Sequence, residues 1–158
     1  MGNLRAKSLI EKHGFKDSDL TTPQHDKILF WSVENINKII DDVIVKEKIK
    51  FKIEAIEPEF AITDYNYYHT KSIIGFLDLH VRFVTEKTDK FEPQTYRVGI
   101  EIKSKIQSVG ETIRQLNFYK EFSNNHYWII ISPDDRFQDF FEKQNIKFYK
   151  YKEDSELF

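Results

Sequence analysis

The sequence predicts an α/β fold with a mixed central sheet flanked by helices, and three observations carry that expectation. Apolar residues recur at helical spacing from Ile28 to Val43 and then at every second position over Ile49, Phe51 and Ile53. Further on, Trp128-Ile129-Ile130-Ile131 is apolar on both of its faces, as a strand covered from two sides must be. Helical and extended patterns then alternate to the end of the chain.

Leu4 to Glu11 reads as a short helix closed by a turn at Gly14, within an N-terminal extension over residues 1–22. Thr22-Pro23 has the form of an N-cap followed by proline in the first turn. From there Ile28, Leu29, Val33, Ile36, Ile39, Ile40 and Val43 mark one amphipathic helix over residues 24–43. A half-buried strand runs from Ile49 toward Phe60, with Pro58 expected to end or bulge it. Asp64 to His69 is a tyrosine-rich connection, Ile73 to Val84 a second strand, the charged stretch Glu86 to Gln94 a hairpin loop and Tyr96 to Lys103 a third strand. A helix follows Gly110 as far as Phe122, then a strand over Tyr127 to Ile131, a helix over Pro133 to Glu142 and a last strand over Ile146 to Tyr151. This order is a three-strand antiparallel meander followed by β-α-β crossovers, with residues 24–152 forming the core.

At 158 residues, without repeat or flexible linker, the chain reads as one domain over residues 1–158. It has no cysteine, which excludes a disulfide framework, a thiolate metal site, a thiol nucleophile and an iron-sulfur cluster. Its apolar runs are too short to span a bilayer and no signal segment opens it, so the expectation is a soluble, cytoplasmic protein without membrane contact. With 24 basic against 26 acidic residues, bulk charge does not draw it to nucleic acid. Lys105, Arg114, Lys120, Lys143, Lys147, Lys150 and Lys152 do gather in the second half, as a local basic surface for a phosphate backbone would require.

Strand alternation places Val98, Ile100 and Ile102 on one face of the third strand and Gly99, Glu101 and Lys103 on the other. On the second strand Leu77, Leu79 and Val81 take the core face and leave Asp78 and His80 opposite. If Asp78 lies across from Glu101, two carboxylates and an ammonium converge. Carboxylates so close repel and raise each other's pKa unless a cation intervenes. Hard oxygen ligands suit Mg2+, with Mn2+ as a substitute, and Lys103 is placed to orient a water or to stabilise developing charge. The same pattern also fits a solvated face, or a structural ion pair between Asp78 and Lys103.

Gly75-Phe76-Leu77-Asp78-Leu79, Val98-Gly99-Ile100-Glu101-Ile102-Lys103-Ser104 and Gln115-Leu116-Asn117-Phe118-Tyr119 resemble the three successive motifs of the PD-(D/E)XK nuclease superfamily. The likeness is to its RecB-like branch, in which a Gln-x-x-x-Tyr helix follows the Glu/Asp-x-Lys strand, and it covers residues 73–122. It implies a restriction-endonuclease-like three-layer sandwich and Mg2+-dependent hydrolysis of phosphodiesters in DNA, by an endonuclease rather than an exonuclease, with a homodimer as one arrangement. It further implies Asp78 and Glu101 as metal ligands together with the Ile102 carbonyl, Lys103 as the catalytic lysine, and Gln115 and Tyr119 as support for the site or the DNA backbone. Leu77 stands where many members have proline. The upstream acid of the family has two candidates, Glu57 on the first strand and Glu34 on the long helix.

Gln115 and Tyr119 are four residues apart and share a helix face. Gly110 leaves helix-start N–H groups for a phosphate or serves only as a cap. His25-Asp26 reads as a capping pair, with Asp26 favoured at the positive end of the helix dipole. His80 reads as an exposed strand histidine, and Trp31 and Trp128 as packing residues. The alternative to an enzyme is a non-catalytic DNA-binding or protein-interaction module that keeps the ionic cluster for stability.

Overall fold

The computed structural model describes residues 22–65 and 71–153. The expected helix over Leu4 to Glu11 and its Gly14 turn lie outside the described residues, as does most of the tyrosine-rich connection.

Five strands form one sheet in the order β1 (Phe51–Tyr65), β2 (Lys71–Thr85), β3 (Thr95–Ile102), β4 (Tyr127–Ser132) and β5 (Lys147–Lys150). The first three make the expected antiparallel meander, while β4 pairs parallel to β3 and β5 parallel to β4. Helices α3 (Val109–Glu121) and α4 (Gln138–Lys143) supply the two crossovers. Ahead of the sheet come α1 (Pro23–Glu34) and α2 (Ile36–Ile40).

Two apolar clusters follow the strand alternation. Ile28, Ile36, Ile39 and Ile40 of the leading helices pack with Leu79, Val81, Val98, Ile100 and Ile129. Leu116, Tyr119 and Phe141 of α3 and α4 pack with Trp128, Ile130 and Phe148. Neighbours on β4 thus serve opposite clusters, which is why that strand had to be apolar throughout, and the arrangement is compatible with a three-layer sandwich. Each fully buried isoleucine or leucine contributes about 1.5–3 kcal/mol through water exclusion.

The long helix departs from the expectation by breaking. Thr22 caps it as expected, its Oγ1 accepting the His25 N–H at 3.1 Å. At Asn35, however, the side-chain amide and the backbone N–H both donate to the Trp31 carbonyl, at 2.8 and 3.0 Å. Such local bonds compete with the helical ladder. The chain resumes as α2 and then widens into a π-helical turn over Asp41–Val45, ended by Lys46 in the left-handed region. Pro58 does not end β1, because β1 is an edge strand with a partner on one side only; it runs on to Tyr65 through two register shifts. The last helix begins at Gln138 instead of Pro133. Ser132 and Asp134 bond to the backbone N–H groups of Asp134 and Arg136 and hold that stretch in a turn.

Glycine at position 75 is required by close approach, since a Cβ there would lie 2.6 Å from Cε1 of Tyr119. Gly110 sits in the first turn of α3 with nothing within 4 Å of such a Cβ. Gly75→Ala is therefore expected to destabilise by about 1–3 kcal/mol through overpacking. Gly110→Ala should be neutral or stabilise by up to about 1 kcal/mol, because alanine loses less freedom on entering a helix. Urea unfolding of the two variants checks this, and equal midpoints would contradict it.

Candidate active site

The β2–β3 ladder pairs Val84 with Thr95 at one end and Leu79 with Ile100 at the other. One step beyond, where the register sets Asp78 across from Glu101, the strands part and side chains take over the ladder's hydrogen bonds. The Asp78 N–H donates to Glu101 Oε1 at 3.3 Å, and the Ile102 N–H donates to Asp78 Oδ2 at 2.8 Å. Two carboxylates thus fill the gap between parting strands, and β2 passes here from the cluster that holds Leu79 to the one that holds Leu77.

Glu101 is only 3% exposed. Burial, and after it the Asp78 charge, pushes its carboxyl well above the usual range, with the Lys103 ammonium offsetting part of the rise. Lys103 is held at both ends: its N–H donates to the Ile131 carbonyl at 3.0 Å and its Nζ to Gln115 Oε1 at 3.1 Å. The Gln115 amide in turn donates to the Tyr119 hydroxyl at 3.4 Å. Burial, and then the nearby Glu101, keeps that hydroxyl protonated well above its ordinary range. Among the described residues no ion pair joins Lys103 to Asp78, so the structural-pair reading of those two is not what the coordinates hold.

The structure therefore brings together Asp78, Glu101, Ile102, Lys103, Gln115 and Tyr119. It also adds His25, for which the sequence favours a capping role over a catalytic one. The backbone of His25 does receive the cap, but its ring is buried and Nε2 lies 3.0 Å from Asp78 Oδ1. The signal was present: His25, Ile28, Ser32 and Ile36 fall on one buried helical stripe, and a histidine on such a stripe needs a polar partner. His80 is likewise not an exposed strand residue. It is buried, stacks on Phe60 with ring centroids 4.0 Å apart, and its Nε2 meets Asn125 Oδ1 at 2.8 Å. Glu34 and Glu57 are both exposed, and neither bonds to the carboxylate pair; Glu57 instead stands across the ladder from His80. The cap of α3 is Ser108, whose Oγ accepts the Glu111 N–H at 3.2 Å, and Gly110 only follows it. Trp31 packs edge-on against Tyr151 and Trp128 is buried, both as expected.

Among the described residues no three His, Asp or Glu side chains stand already grouped as a metal cage. The oxygen donors nevertheless suit a hard divalent cation: Asp78 Oδ1 and the second Glu101 oxygen lie outside the ladder bonds, and the His25 imidazole adjoins Asp78 Oδ1. The loop leaving Lys103 is clamped from the turn after β4, where Asp134 Oδ2 accepts the Ile106 N–H at 3.0 Å and the Arg136 guanidinium donates to the Ile106 carbonyl at 3.2 Å. No family model, curated protein or solved structure matches the chain.

Two outcomes follow from these charges. A carboxyl raised by folding costs stability above its unfolded value, near 4.5 for Glu101, because the unfolded chain ionises there and the folded one resists. Glu101→Gln should then melt higher than wild type at neutral pH in EDTA, by roughly 2–4 °C for each kcal/mol relieved, and the gap should close as pH falls to about 4.5. Asp134 behaves in the opposite sense. Its hydrogen bond from Arg136 lowers it from 3.8 to about 2, so its contribution is complete above 3.8 and fades as pH falls toward 2. Melting curves of wild type and Asp134→Asn should converge over that interval, and a constant offset would contradict the clamp.

Proposed function

We propose that the chain is a metal-dependent nuclease of the restriction-endonuclease-like fold that hydrolyses phosphodiester bonds in DNA. The observation that carries the reading is the pairing of Asp78 and Glu101 across parting strands with Lys103 fixed beside them. Asp78, Glu101 and the Ile102 carbonyl would hold Mg2+ or Mn2+, with the His25 imidazole as a further ligand. A cation bound there supplies a water of lowered pKa and neutralises charge on a phosphate oxygen. Lys103 would place its ammonium against the charge that develops on the phosphoryl group, held in direction by Gln115, which Tyr119 braces from within the core. To serve as a ligand, His25 would give up its N–H bond to Asp78 and carry its ring proton on Nδ1, which frees the Nε2 lone pair of a neutral imidazole for the cation.

A second reading has one observation in its favour. One oxygen of each carboxylate is engaged in a ladder bond, an arrangement that a purely structural cluster in a binding module would also adopt.

Incubation with supercoiled, linear duplex and single-stranded DNA, and with RNA, in Mg2+, Mn2+ or EDTA separates the two. Cation-dependent cleavage is expected, falling by about 10²–10⁴-fold in Asp78→Asn and Lys103→Ala and by about 10–100-fold in His25→Ala, with thermal midpoints retained in Lys103→Ala. Cleavage that survives Asp78→Asn and Lys103→Ala would overturn the assignment. No cleavage of any substrate, with no cation-induced rise in melting temperature, would leave the binding module.

A further inference from the structure

On the α3/α4 side of the sheet a cavity of about 350 Å³ opens beside the start of β4, within the range of small-ligand sites, about 300–1,000 Å³. Lys120, Ser123, Asn125, His126, Asn145 and Lys147 supply its polar lining, and no acidic residue contributes. In a chain whose acids outnumber its bases, 26 to 24, two lysines sharing a cavity without a carboxylate is a local excess. Among the described residues neither lysine has an ion-pair partner; Lys147 Nζ lies 5.9 Å over the Tyr127 ring.

The neutral groups are arranged to donate as well. Asn125 is fixed on both sides: its Oδ1 meets His80 Nε2 at 2.8 Å, and its Nδ2 donates to Ser123 Oγ at 2.9 Å. A hydroxyl that accepts from Asn125 keeps its own proton to donate elsewhere. Asn125 Oδ1 can only accept, so His80 Nε2 donates to it, and burial lowers the ring's pKa. Glycine at position 99 makes room for this packing, since a Cβ there would lie 2.9 Å from Asn125 Nδ2 and from the Trp128 ring. Buried His80 and Trp128 thus support half-buried Asn125 and Ser123 at this cavity. By contrast, the cavity of about 440 Å³ between α1 and β5 has the Asp42 carboxylate in its lining, and two of its three lysines are paired, Lys38 with Asp42 at 2.8 Å and Lys150 with Asp135 at 3.4 Å.

We propose that the cavity beside β4 is a phosphate-binding site that takes the phosphate group of a nucleotide or nucleic acid between Lys120 and Lys147, with Ser123 donating to it. Two ammonium groups and a hydroxyl match the acceptor-only oxygens of a phosphate ester. Burial without an offsetting carboxylate lowers the Lys120 pKa, and a bound anion would relieve that cost. The site stands whether or not the carboxylate pair binds a metal.

The test is calorimetric titration of the full chain in EDTA, which silences any cation-dependent cleavage. The probes are inorganic phosphate and a short single-stranded oligonucleotide with and without a 5′-phosphate. Saturable binding is expected, weakened roughly tenfold by Lys147→Gln alone and further by Lys120→Gln with Lys147→Gln, at unchanged melting temperature. Preference for inorganic phosphate and the 5′-phosphorylated strand identifies a terminal monoester as the ligand. Equal binding of both strands, lost in the double variant, identifies the backbone diester. No saturable binding of any probe, or binding unchanged in a folded double variant, would overturn the proposal.

Discussion

The structure turns on one unfavourable juxtaposition: two carboxylates placed where β2 and β3 part, one of them buried almost completely. An ordinary ladder would have satisfied the N–H groups of Asp78 and Ile102 with backbone carbonyls. Here carboxylate oxygens do so, at 3.3 and 2.8 Å, which closes the hydrogen-bond account while leaving a surplus of negative charge. Everything packed around the gap responds to that charge. His25 reaches it from the helix that opens the described chain, and Lys103 stands beside it with Gln115 and Tyr119 behind.

Those responding groups come from both sides of the sheet, so the site lies on the seam between the two cores. Ile28 anchors α1 in one cluster, three residues beyond His25, and Tyr119 anchors α3 in the other, four residues beyond Gln115. The ring of Tyr119 fits only because β2 has no Cβ at position 75. Geometry at the carboxylates is thus fixed by packing several residues away, which gives each polar side chain one orientation without spending loop entropy on it.

Much of the sheet was legible in the sequence because strand period is a local property. Glu101 could be set beside Lys103, and Asp78 across from Glu101, by counting alternation in two strands. Breaks made by side chains were not legible. Asn35 looks like any helical polar residue until its amide is seen on the Trp31 carbonyl, and Asp134 delays α4 by binding N–H groups of two separate segments. His25 was missed for a related reason. Its position near a helix start offers a sufficient local explanation, and only the tertiary arrangement shows that the ring serves a residue 53 positions away. His80 was misread because alternation assigns a face without telling whether a helix or loop will cover it.

The charge at the gap also decides what the site attracts. Burial disfavours the ionised form of Glu101 and the Asp78 charge disfavours it further, so a nearby positive charge is favoured at its oxygens. On the proposed reading, a divalent cation would supply that positive charge. His25 faces the same pair, its Nε2 3.0 Å from Asp78 Oδ1. Lys103 is set apart from these contacts: its Nζ bonds to Gln115 Oε1 at 3.1 Å and to neither carboxylate. On the proposed reading, that fixed position is what would suit Lys103 to meet a substrate's charge, and it separates Lys103 from the residues that touch the carboxylates directly.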